Sequence, residues 1–340
     1  MSAAAQEPTR VAVIGAGSMG RNHVRVYKEL PYVNLVGVAD TDKAVTSKLG
    51  QLYSVNTYQD YHEMLEREKP EAVSVAVPTF MHGPLVVELL EAGVHVLVEK
   101  PIAATIEEGE MIIQASERTG KKLMVGHIER FNPAVIELKR RLDAGQIGKV
   151  FQIYARRLGP YPTRIQDVGV ILDLTPHDLD IMRYLTGQEI VRVYCEASSE
   201  LNSKNEDLMT GLLRFDKQTV GVLEINWLTP TKIRELYVTG ECGMFMVNYI
   251  TQDLYFYENA QAHPDAWQTM SLLRGVSEGA MTRFAVKKME PLRVELETFL
   301  RWVRTDEAPG ITGQDALTVL KLALGLLESV QKGTAVKTAG

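Results

Sequence analysis

Cysteine is scarce in this sequence, which has only Cys195 and Cys242 among its 340 residues. Two isolated thiols offer neither a disulfide framework nor metal-ligand spacing, so we expect both to be reduced, as in a cytoplasmic protein. No uninterrupted apolar segment reaches the roughly 20 residues of a membrane span. The first ten residues, "MSAAAQEPTR", lack the apolar run of a secretory signal. The sequence therefore predicts no membrane association.

Basic charge is not in excess either. The chain has 37 lysines and arginines against 43 aspartates and glutamates, and the net charge of -6 argues against a nucleic-acid surface. Internal repeats and low-complexity segments are missing as well. What remains is 45% hydrophobic and 24% charged residues, which is ordinary for globular protein with sizeable cores. The length favours two domains rather than one.

Strand and helix patterns alternate over the first third of the chain. Short apolar runs, several of them rich in β-branched residues, occupy 10–14, 33–39, 72–77, 94–98 and 121–125. Helical patterns separate them. This alternation predicts a parallel sheet with helices on both faces.

The pattern of predicted secondary structure changes after Gly126. One helix is predicted over 133–144, and strand patterns follow at 150–156, 190–197, 208–215, 220–227, 233–239 and 244–249. The turns "FDKQTV" and "TGECG" join four of them as hairpins, which indicates an antiparallel sheet. Helices over 291–305 and 313–332 finish the chain, the second opened by a capping box of Thr312 and Asp315. Residues 261–283 gave no assignment.

We therefore predict an α/β domain over residues 1–126 that binds a dinucleotide, and an α+β domain over residues 127–340 that binds substrate. In the second domain helices flank an open, mainly antiparallel sheet. The last helix is a candidate for packing back on the first domain.

The segment "VAVIGAGSMGRNHV" carries a glycine loop in G-x-G-x-x-G spacing. Gly15 makes the turn, Gly17 lets the backbone approach a pyrophosphate, and Gly20 allows the helix to pack on the sheet. Ser18 and Met19 open the helix, whose N-terminus then faces the anion. Because the loop follows a strand and starts a helix, it predicts a dinucleotide site.

Asp40 ends the second strand, twenty positions after Gly20. An acid at this place accepts hydrogen bonds from the adenosine ribose hydroxyls, and its charge repels a 2′-phosphate. The residues that follow, Thr41, Asp42 and Lys43, include no arginine. These features favour NAD over NADP. The alternative is that Asp40 or Thr41 serves only as a helix N-cap.

The segment "VILDLTPHDLDIM" places a histidine at a helix start. Thr175 and Asp178 have capping-box spacing, and Pro176 falls at the first helical position. The positive end of the helix dipole disfavours imidazolium, so His177 stays neutral and able to accept a proton. Asp173, just upstream, is placed to orient the ring. The alternative is that His177 lies at the helix start without a functional role.

The segment "VLVEKPIAAT" puts Glu99, Lys100 and Pro101 at the carboxyl end of a strand, the edge where open α/β sheets bind ligands. A lysine there can reach a substrate hydroxyl. The alternative is a surface lysine in a turn, which most lysines are.

From about residue 10 to residue 187 the chain resembles the glucose–fructose oxidoreductase, inositol dehydrogenase and MocA (Gfo/Idh/MocA) family. The matching features are "GAGSMG", "VAVPTFMH", "EKP", "ERFNP" and "GVILDLTPHDLD". "EKP" together with G-x-x-x-D-x-x-x-H at Gly169, Asp173 and His177 is a specific combination. The resemblance implies a Rossmann domain, then a domain whose open antiparallel sheet mediates oligomers, a dimer or a tetramer.

The resemblance also implies a reaction, the oxidation of a secondary hydroxyl of a sugar or cyclitol with NAD. His177 takes the hydroxyl proton, Lys100 stabilises the negative charge that develops on the oxygen, and Asp173 positions the ring or a second hydroxyl. A positioned general base contributes about 10²- to 10⁴-fold. The chemistry needs no metal, and no cluster of side chains has ligand spacing.

Further cofactor contacts follow from the same resemblance. Pro78 and Thr79 are expected to line the nicotinamide pocket, and His82 to cap a helix near the cofactor. Glu99 and Lys100 complete the expected contacts.

Within the family, "VGHIERFNPAV" and the segment from Ala155 to Met182 are similar to members that oxidise the 3-hydroxyl of UDP-N-acetylglucosamine, for cell-envelope amino sugars. A nucleotide sugar needs cations for its diphosphate, and the candidates are Arg156, Arg157 and Arg164. Because alternating strand residues face opposite sides, Arg156 and Arg157 cannot both enter one cleft without a bulge.

Two alternatives stay open. One is an inositol or free-hexose dehydrogenase of the same family. The other is a regulator that binds the dinucleotide without catalysis, which the intact set of Lys100, Asp173 and His177 disfavours.

Overall fold

The computed structural model describes residues 7–162, 168–201, 204–260, 278–305, 307 and 310–338. The chain forms two compact units. Residues 1–128 and 290–320 make the first, and residues 129–289 and 321–340 make the second. Within the described ranges, no helix has both the length and the apolar content that crossing a membrane requires.

The first unit is built on a parallel sheet of six strands in the order β3-β2-β1-β4-β5-β6. The strands read as continuous apolar runs because both faces of such a sheet are covered, and Val11, Ala12 and Val13 are fully buried. Their bounds are β1 (Thr9–Ile14), β2 (Val33–Ala39), β3 (Asn56–Tyr58), β4 (Ala72–Val75), β5 (His95–Glu99) and β6 (Leu123–Gly126).

Helices follow the strands of this sheet: α1 (Ser18–Glu29), α2 (Lys43–Tyr53), α3 (Tyr61–Glu68), α4 (His82–Glu91) and α5 (Ile106–Thr119). Each loop that leaves a carboxyl strand end opens at the same edge of the sheet. The glycine loop, Asp40, the turn after β4 and Lys100 all lie in such loops, so the topology gathers them at the ligand-binding edge.

The second unit contains a sheet of nine strands in the order β14-β13-β12-β11-β7-β10-β9-β8-β15. It is antiparallel except that β7 and β10 run parallel. The strands are β7 (Val150–Pro160), β8 (Ile190–Ser198), β9 (Leu208–Phe215), β10 (Val220–Asn226), β11 (Leu228–Gly240), β12 (Gly243–Asn248), β13 (Asp253–Asn259), β14 (Glu278–Phe284) and β15 (Val336–Lys337).

One face of this sheet is buried and the other is open. Side chains such as Ile153, Leu223 and Leu236 are completely buried beneath helices, whereas their neighbours along each strand, such as Leu212 and Tyr237, are more exposed. The alternation follows from the two-residue period of a strand. Helices α6 (Pro133–Asp143), α7 (Val170–Asp173) and α8 (Thr175–Thr186) belong to this unit.

Helix α9 (Pro291–Thr305) returns the chain to the first unit, where it packs on α1 and buries Leu292, Leu296, Phe299 and Leu300. Helix α10 (Gly313–Lys332) begins in the first unit and ends in the second. The predicted capping box at its start is confirmed: the Asp315 amide donates to Thr312 Oγ1 at 3.0 Å, and the Thr312 amide to Asp315 Oδ2 at 3.1 Å.

The predicted fold class is confirmed, with a parallel sheet followed by a mainly antiparallel one. The bounds predicted for β2, β9, α9 and α10 match the structure, and both predicted hairpins pair antiparallel. Strand β7 is four residues longer than predicted and β11 six, and they lie next to each other. In the stretch without an assignment, residues 261–277 lie outside the described residues, and β14 supplies the remainder.

Candidate active site

The glycine loop in the first unit has the geometry that a pyrophosphate requires. Gly15 adopts a φ of +91°, and a Cβ there would lie 2.5 Å from the carbonyl oxygen of Ala76. A Cβ on Gly20 would lie 1.8 Å from the carbonyl oxygen of Gly15. Around Gly17, by contrast, no atom comes within 4 Å of the Cβ position, and α1 begins at the next residue. The loop therefore leaves an exposed helix N-terminus that backbone amides line, as an anion site needs.

A cavity of about 680 Å³ opens beside this loop. It is lined by the glycine loop, the end of β2 and the start of α4, including Gly15, Gly17, Asp40, Pro78 and Met81. Its volume lies in the range of cofactor pockets, and its walls are mostly apolar with few polar groups. The residues present thus fit a bound dinucleotide, which when bound supplies the hydride acceptor.

Asp40 is held in place by two backbone amides. Its Oδ2 accepts from Ala16 at 2.6 Å and its Oδ1 from Asp42 at 2.9 Å. The N-cap of α2 is Asp42, which accepts from the amides of Ala44 and Val45. Asp40 is therefore not the helix cap, and its carboxylate lines the cavity next to the glycine loop. This is the arrangement in which an acid binds ribose hydroxyls.

Asp40→Asn is expected to weaken NADH binding and to shift the ratio of the NADH and NADPH dissociation constants by about 10-fold or more towards NADPH. The substitution keeps a carbonyl oxygen but removes the charge that repels a 2′-phosphate. Fluorescence titration with both cofactors measures the shift. Asp42→Asn is the matched control, since it changes a helix cap only. Parent protein that already prefers NADPH would contradict this role of Asp40.

His82 ties two loops at the ligand-binding edge together. The ring is almost fully buried, with Nε2 3.0 Å from the carbonyl oxygen of Val77 and Nδ1 2.9 Å from that of Pro101. Burial lowers the pKa of His82, although the two carbonyl groups oppose the shift. His82 was expected to cap a helix. It occupies the C-cap position of the short 3₁₀ helix Thr79–Met81 and is also the first residue of α4, and its ring contacts join the turn that carries Pro78 and Thr79 to the segment after Lys100.

Lys100 follows β5 directly and is partly exposed, and its peptide bond to Pro101 is cis. The preceding Glu99 points into the unit, where its Oε1 lies 3.0 Å from Nε2 of the fully buried His23. Glu99 thus has a partner in α1 that sequence spacing does not reveal. His23 showed no partner in the sequence because 76 residues separate the two.

Glu295 in α9 is a buried carboxyl group that the sequence analysis did not identify. It is completely buried, and neither carboxyl oxygen has a hydrogen-bond partner in the described part of the chain. Burial raises the pKa of Glu295 well above its usual value, and the charge of Glu99 adds to the shift. Its position in the helical stripe of Leu292, Leu296 and Phe299 was a signal that could have revealed it.

Glu295→Gln is expected to stabilise the protein at pH 8, with a gain that shrinks towards pH 5. In the folded chain Glu295 keeps its proton at pH values where the unfolded chain, with a pKa near 4.5, has released it. The free energy of unfolding therefore falls as pH rises from the unfolded pKa to the folded one. Glutamine keeps the shape and does not titrate. Urea unfolding at both pH values measures the difference.

Glu297→Gln, two positions further along α9, is the control for this experiment. Glu297 is partly exposed and bonds to Arg293, so its replacement should bring no gain at pH 8. An equal change in the two variants would show that the burial of Glu295 is not responsible.

In the second unit, Asp173 and His177 lie on two consecutive helical segments. Asp173 ends α7, His177 is the third residue of α8, and both side chains are partly exposed. The N-terminus of α7 is held by Glu206, whose Oε1 accepts from the Ile171 amide at 3.1 Å. A Cβ on Gly169 would lie 2.2 Å from the same carboxylate, so Gly169 leaves room for Glu206.

The capping box predicted at Thr175 and Asp178 is wrong. The Thr175 hydroxyl donates to the carbonyl of Ile171 at 2.5 Å, because α7 already occupies the positions before α8. The N-cap position of α8 is Leu174, whose backbone is itself helical. His177 therefore follows an earlier helical turn rather than a free helix start, which weakens the dipole argument for a neutral ring.

Asp178 and Asp180 instead hold two buried arginines. Arg157 donates through Nε and Nη2 to Asp178, at 2.7 and 3.1 Å, and through Nη1 to Glu129 at 3.1 Å. Arg130 donates to both carboxylate oxygens of Asp180, at 2.8 and 2.6 Å. The two pairs attach the helix of His177 to β7 and to the segment before α6.

This arrangement corrects the expectation that Arg157 and Arg156 bind substrate. The guanidinium of Arg157 is buried, and both edges of its fork already bond to carboxylates. Arg156 points to the open face of the sheet, where it pairs with Glu224 at 3.0 Å and Glu235 at 3.5 Å. Adjacent strand residues face opposite sides, as the sequence argument stated. Arg164 lies outside the described residues.

A different arginine lies within electrostatic range of Asp173. Arg234 in β11 pairs in register with Arg157, and the charges of Asp173, Asp178 and Glu129 act on it. Its Nη1 donates to two backbone carbonyls, of Leu158 at 2.5 Å and of Ile233 at 2.9 Å. Sequence reasoning missed it because the register of β7 with β11 is not visible in the sequence.

Comparison with known proteins agrees with this fold and these motifs. Residues 9–127 match a family model described as an oxidoreductase family with an NAD-binding Rossmann fold. Residues 135–246 match the GFO/IDH/MocA C-terminal domain. Fold and site together define an NAD-dependent oxidoreductase. The chain belongs to the Gfo/Idh/MocA family and is a dehydrogenase of sugar or polyol hydroxyls.

Three relatives illustrate the range of similarity. The scyllo-inositol 2-dehydrogenase (NAD(+)) of Bacillus subtilis is 28% identical, over 98% of this chain and 97% of its own. The myo-inositol dehydrogenase Hyg17 of Streptomyces leeuwenhoekii is 34% identical, over 65% of this chain and 70% of its own. The structure of UDP-N-acetylglucosamine 3-dehydrogenase GnnA from Acidithiobacillus ferrooxidans superposes with a TM-score of 0.84, at 26% identity, over 95% of this chain and 97% of that one.

Proposed function

We propose that this protein oxidises the 3-hydroxyl of UDP-N-acetylglucosamine to the 3-keto nucleotide sugar with NAD, for amino sugars of the cell envelope. The observation that carries the proposal is the similarity to UDP-N-acetylglucosamine 3-dehydrogenase along nearly the whole of both chains. The intact set of Lys100, Asp173 and His177 adds to it.

In the proposed reaction each of the three side chains has one role. His177 accepts the proton of the hydroxyl group as general base. The ammonium group of Lys100 stabilises the negative charge that develops on the same oxygen. Asp173, four positions before His177 and also partly exposed, fixes either the imidazole or a neighbouring hydroxyl.

Supporting contacts hold the backbone next to two of these residues. The contact between His82 Nδ1 and the carbonyl oxygen of Pro101 restrains the segment that follows Lys100. The ion pair of Asp178 with Arg157 anchors the residue next to His177. Precise placement of reacting groups contributes to catalysis because the entropy cost of orienting them is already met before the reaction.

An inositol dehydrogenase is the second candidate. The scyllo-inositol 2-dehydrogenase of Bacillus subtilis is as similar to this chain as the nucleotide-sugar enzyme, and the two substrates share a secondary hydroxyl on a six-membered ring. They differ in charge, since a cyclitol carries no phosphate.

A substrate panel separates the two candidates. Purified protein with NAD is assayed for NADH formation on UDP-N-acetylglucosamine, N-acetylglucosamine, myo-inositol, scyllo-inositol and glucose. The proposal predicts the highest kcat/KM on UDP-N-acetylglucosamine, with a product ketone at carbon 3 identified by borodeuteride reduction and mass spectrometry. Higher kcat/KM on a cyclitol would assign the protein to the second candidate.

We also propose that the protein forms a homo-oligomer through the open face of the second sheet. Leu212, Tyr257 and Met281 point to this face and expose 50%, 39% and 56% of their surface. Tyr154 and Tyr237 stack beside them at 5.9 Å between ring centroids. Exposed apolar side chains on an open sheet face favour association. Light scattering after size exclusion gives the mass that tests the proposal.

A further inference from the structure

Arg234 is a cation whose charge no carboxylate of the described chain neutralises directly. Its two hydrogen bonds go to the backbone carbonyls of Leu158 and Ile233, both through Nη1. Within the described ranges, no carboxylate oxygen lies within 4.0 Å of its guanidinium nitrogens. Its register partner Arg157 has the opposite environment, since Asp178 and Glu129 both bond to it.

Arg234 lies near α8, the helix that carries His177. It lies on the face of the sheet that α8 covers, one strand from the Arg157–Asp178 pair. Asp173 is among the groups whose charge acts on it. Unlike Arg157, which is buried, Arg234 is partly exposed. A ligand that contacts the Asp173 and His177 segment can therefore reach its guanidinium group.

The electrostatic environment favours an anion at this point. Burial and the neighbouring charge of Arg157 lower the pKa of Arg234 to about 10, although Asp178, Glu129 and Asp173 oppose the shift. The guanidinium remains protonated near neutral pH, although burial and the charge of Arg157 disfavour its positive charge. An anionic ligand would relieve this cost. A Cβ on Gly159 would lie 3.9 Å from both Nη1 and Nη2, so the β7 backbone passes beside the guanidinium without crowding it.

We infer that Arg234 binds an anionic group of the substrate, a phosphate or a carboxylate, and thereby determines specificity. The fork geometry of a guanidinium matches both groups. Its two carbonyl contacts hold one edge, and Nε and Nη2 have no hydrogen-bond partner among the described residues. The inference rests on the proposed function because it assigns a residue to the same site, and it excludes a neutral cyclitol as the preferred substrate.

The test compares the parent protein with Arg234→Gln and Arg234→Lys, each loaded with NAD. Arg234→Gln is expected to raise KM for UDP-N-acetylglucosamine by about 10- to 100-fold, with kcat changed far less, and to leave KM for N-acetylglucosamine unchanged. Arg234→Lys keeps the charge without the fork and should fall between. Binding of UDP to the NADH-loaded protein, followed by calorimetry, should weaken in the same order.

Arg192→Gln is the matched control, because Arg192 is an exposed strand arginine of the same sheet. It should leave both KM values unchanged. An unchanged KM for UDP-N-acetylglucosamine and unchanged UDP binding in both Arg234 variants would overturn the inference and leave the proposed function standing. Turnover of hexuronates but not of UDP-sugars, with a raised KM in Arg234→Gln, would support the inference and overturn the proposed function. Turnover of neutral polyols alone would overturn both.

Discussion

Lys100→Met is expected to reduce turnover by about 10²- to 10³-fold or more while the affinity for NAD stays close to that of the parent protein. Methionine has a similar length but carries no charge, so it cannot stabilise negative charge on the substrate oxygen. The glycine loop and Asp40, which fit the cofactor, lie in other loops of the first unit. Steady-state kinetics and NADH fluorescence titration measure the two effects separately.

The control for this substitution is Lys48→Met, which replaces an exposed lysine on α2. It removes one positive charge from the same unit and should leave kcat unchanged. Thermal melting of both variants checks that they are folded. Turnover by Lys100→Met close to that of the parent would remove Lys100 from the proposed mechanism.

Asp178→Ala is expected to destabilise the protein by about 3–5 kcal/mol. The substitution removes two hydrogen bonds from Arg157 and leaves that buried guanidinium with Glu129 alone. Burial by itself would lower the pKa of Arg157, and the charges of Asp178 and Glu129 raise it instead, so the aspartate compensates most of the cost of burying the cation. Urea unfolding gives the change in the free energy of unfolding.

Replacing both Arg157 and Asp178 by apolar residues shows whether the destabilisation comes from an uncompensated buried charge or from lost packing. The double variant Arg157→Met with Asp178→Leu should recover most of the stability that Asp178→Ala loses, because no uncompensated charge remains. Arg140→Ala, which breaks an exposed pair with Glu137 on α6, should cost much less. If the double variant were no more stable than Asp178→Ala, the loss would come from packing.

The sequence predicts well those elements that local patterns specify. The helices at 291–305 and 313–332 have apolar stripes and clear ends, and the structure places them at the predicted bounds. The glycine loop could likewise be identified, because each of its three glycines meets a local backbone requirement. The positive φ of Gly15 and the open space at Gly17 are properties of a short segment.

Two predicted capping boxes with the same spacing show the limit of prediction from local sequence patterns. At Thr312 and Asp315 the side chains face solvent, and they make the predicted bonds. At Thr175 and Asp178 the same residue types make other bonds, because Asp178 forms an ion pair with the buried Arg157 on β7. A buried arginine left without its carboxylate costs more free energy than a lost helix cap, and the sequence alone does not show which residues meet.

Local motifs select the expected acid and base of the candidate site, Asp173 and His177, whereas its cations depend on contacts that the sequence does not show. Arg157 was expected to bind substrate because it precedes the Asp173 motif, yet it anchors α8. Arg234 follows 61 positions after Asp173 in the sequence and reaches the same region only through the register of β11 on β7. Strand register depends on side-chain packing across the sheet, which a single sequence does not specify.

The return of α9 to the first unit has a consequence for folding during synthesis on the ribosome. Residues 290–320 belong to the nucleotide-binding unit, yet about 160 residues of the other unit separate them from residue 128. A ribosome that adds about 5–20 residues per second needs roughly 8 to 30 seconds to bridge that interval. During this time the face of α1 against which α9 packs is exposed, so the nascent chain presents an incomplete apolar core to which chaperones can bind.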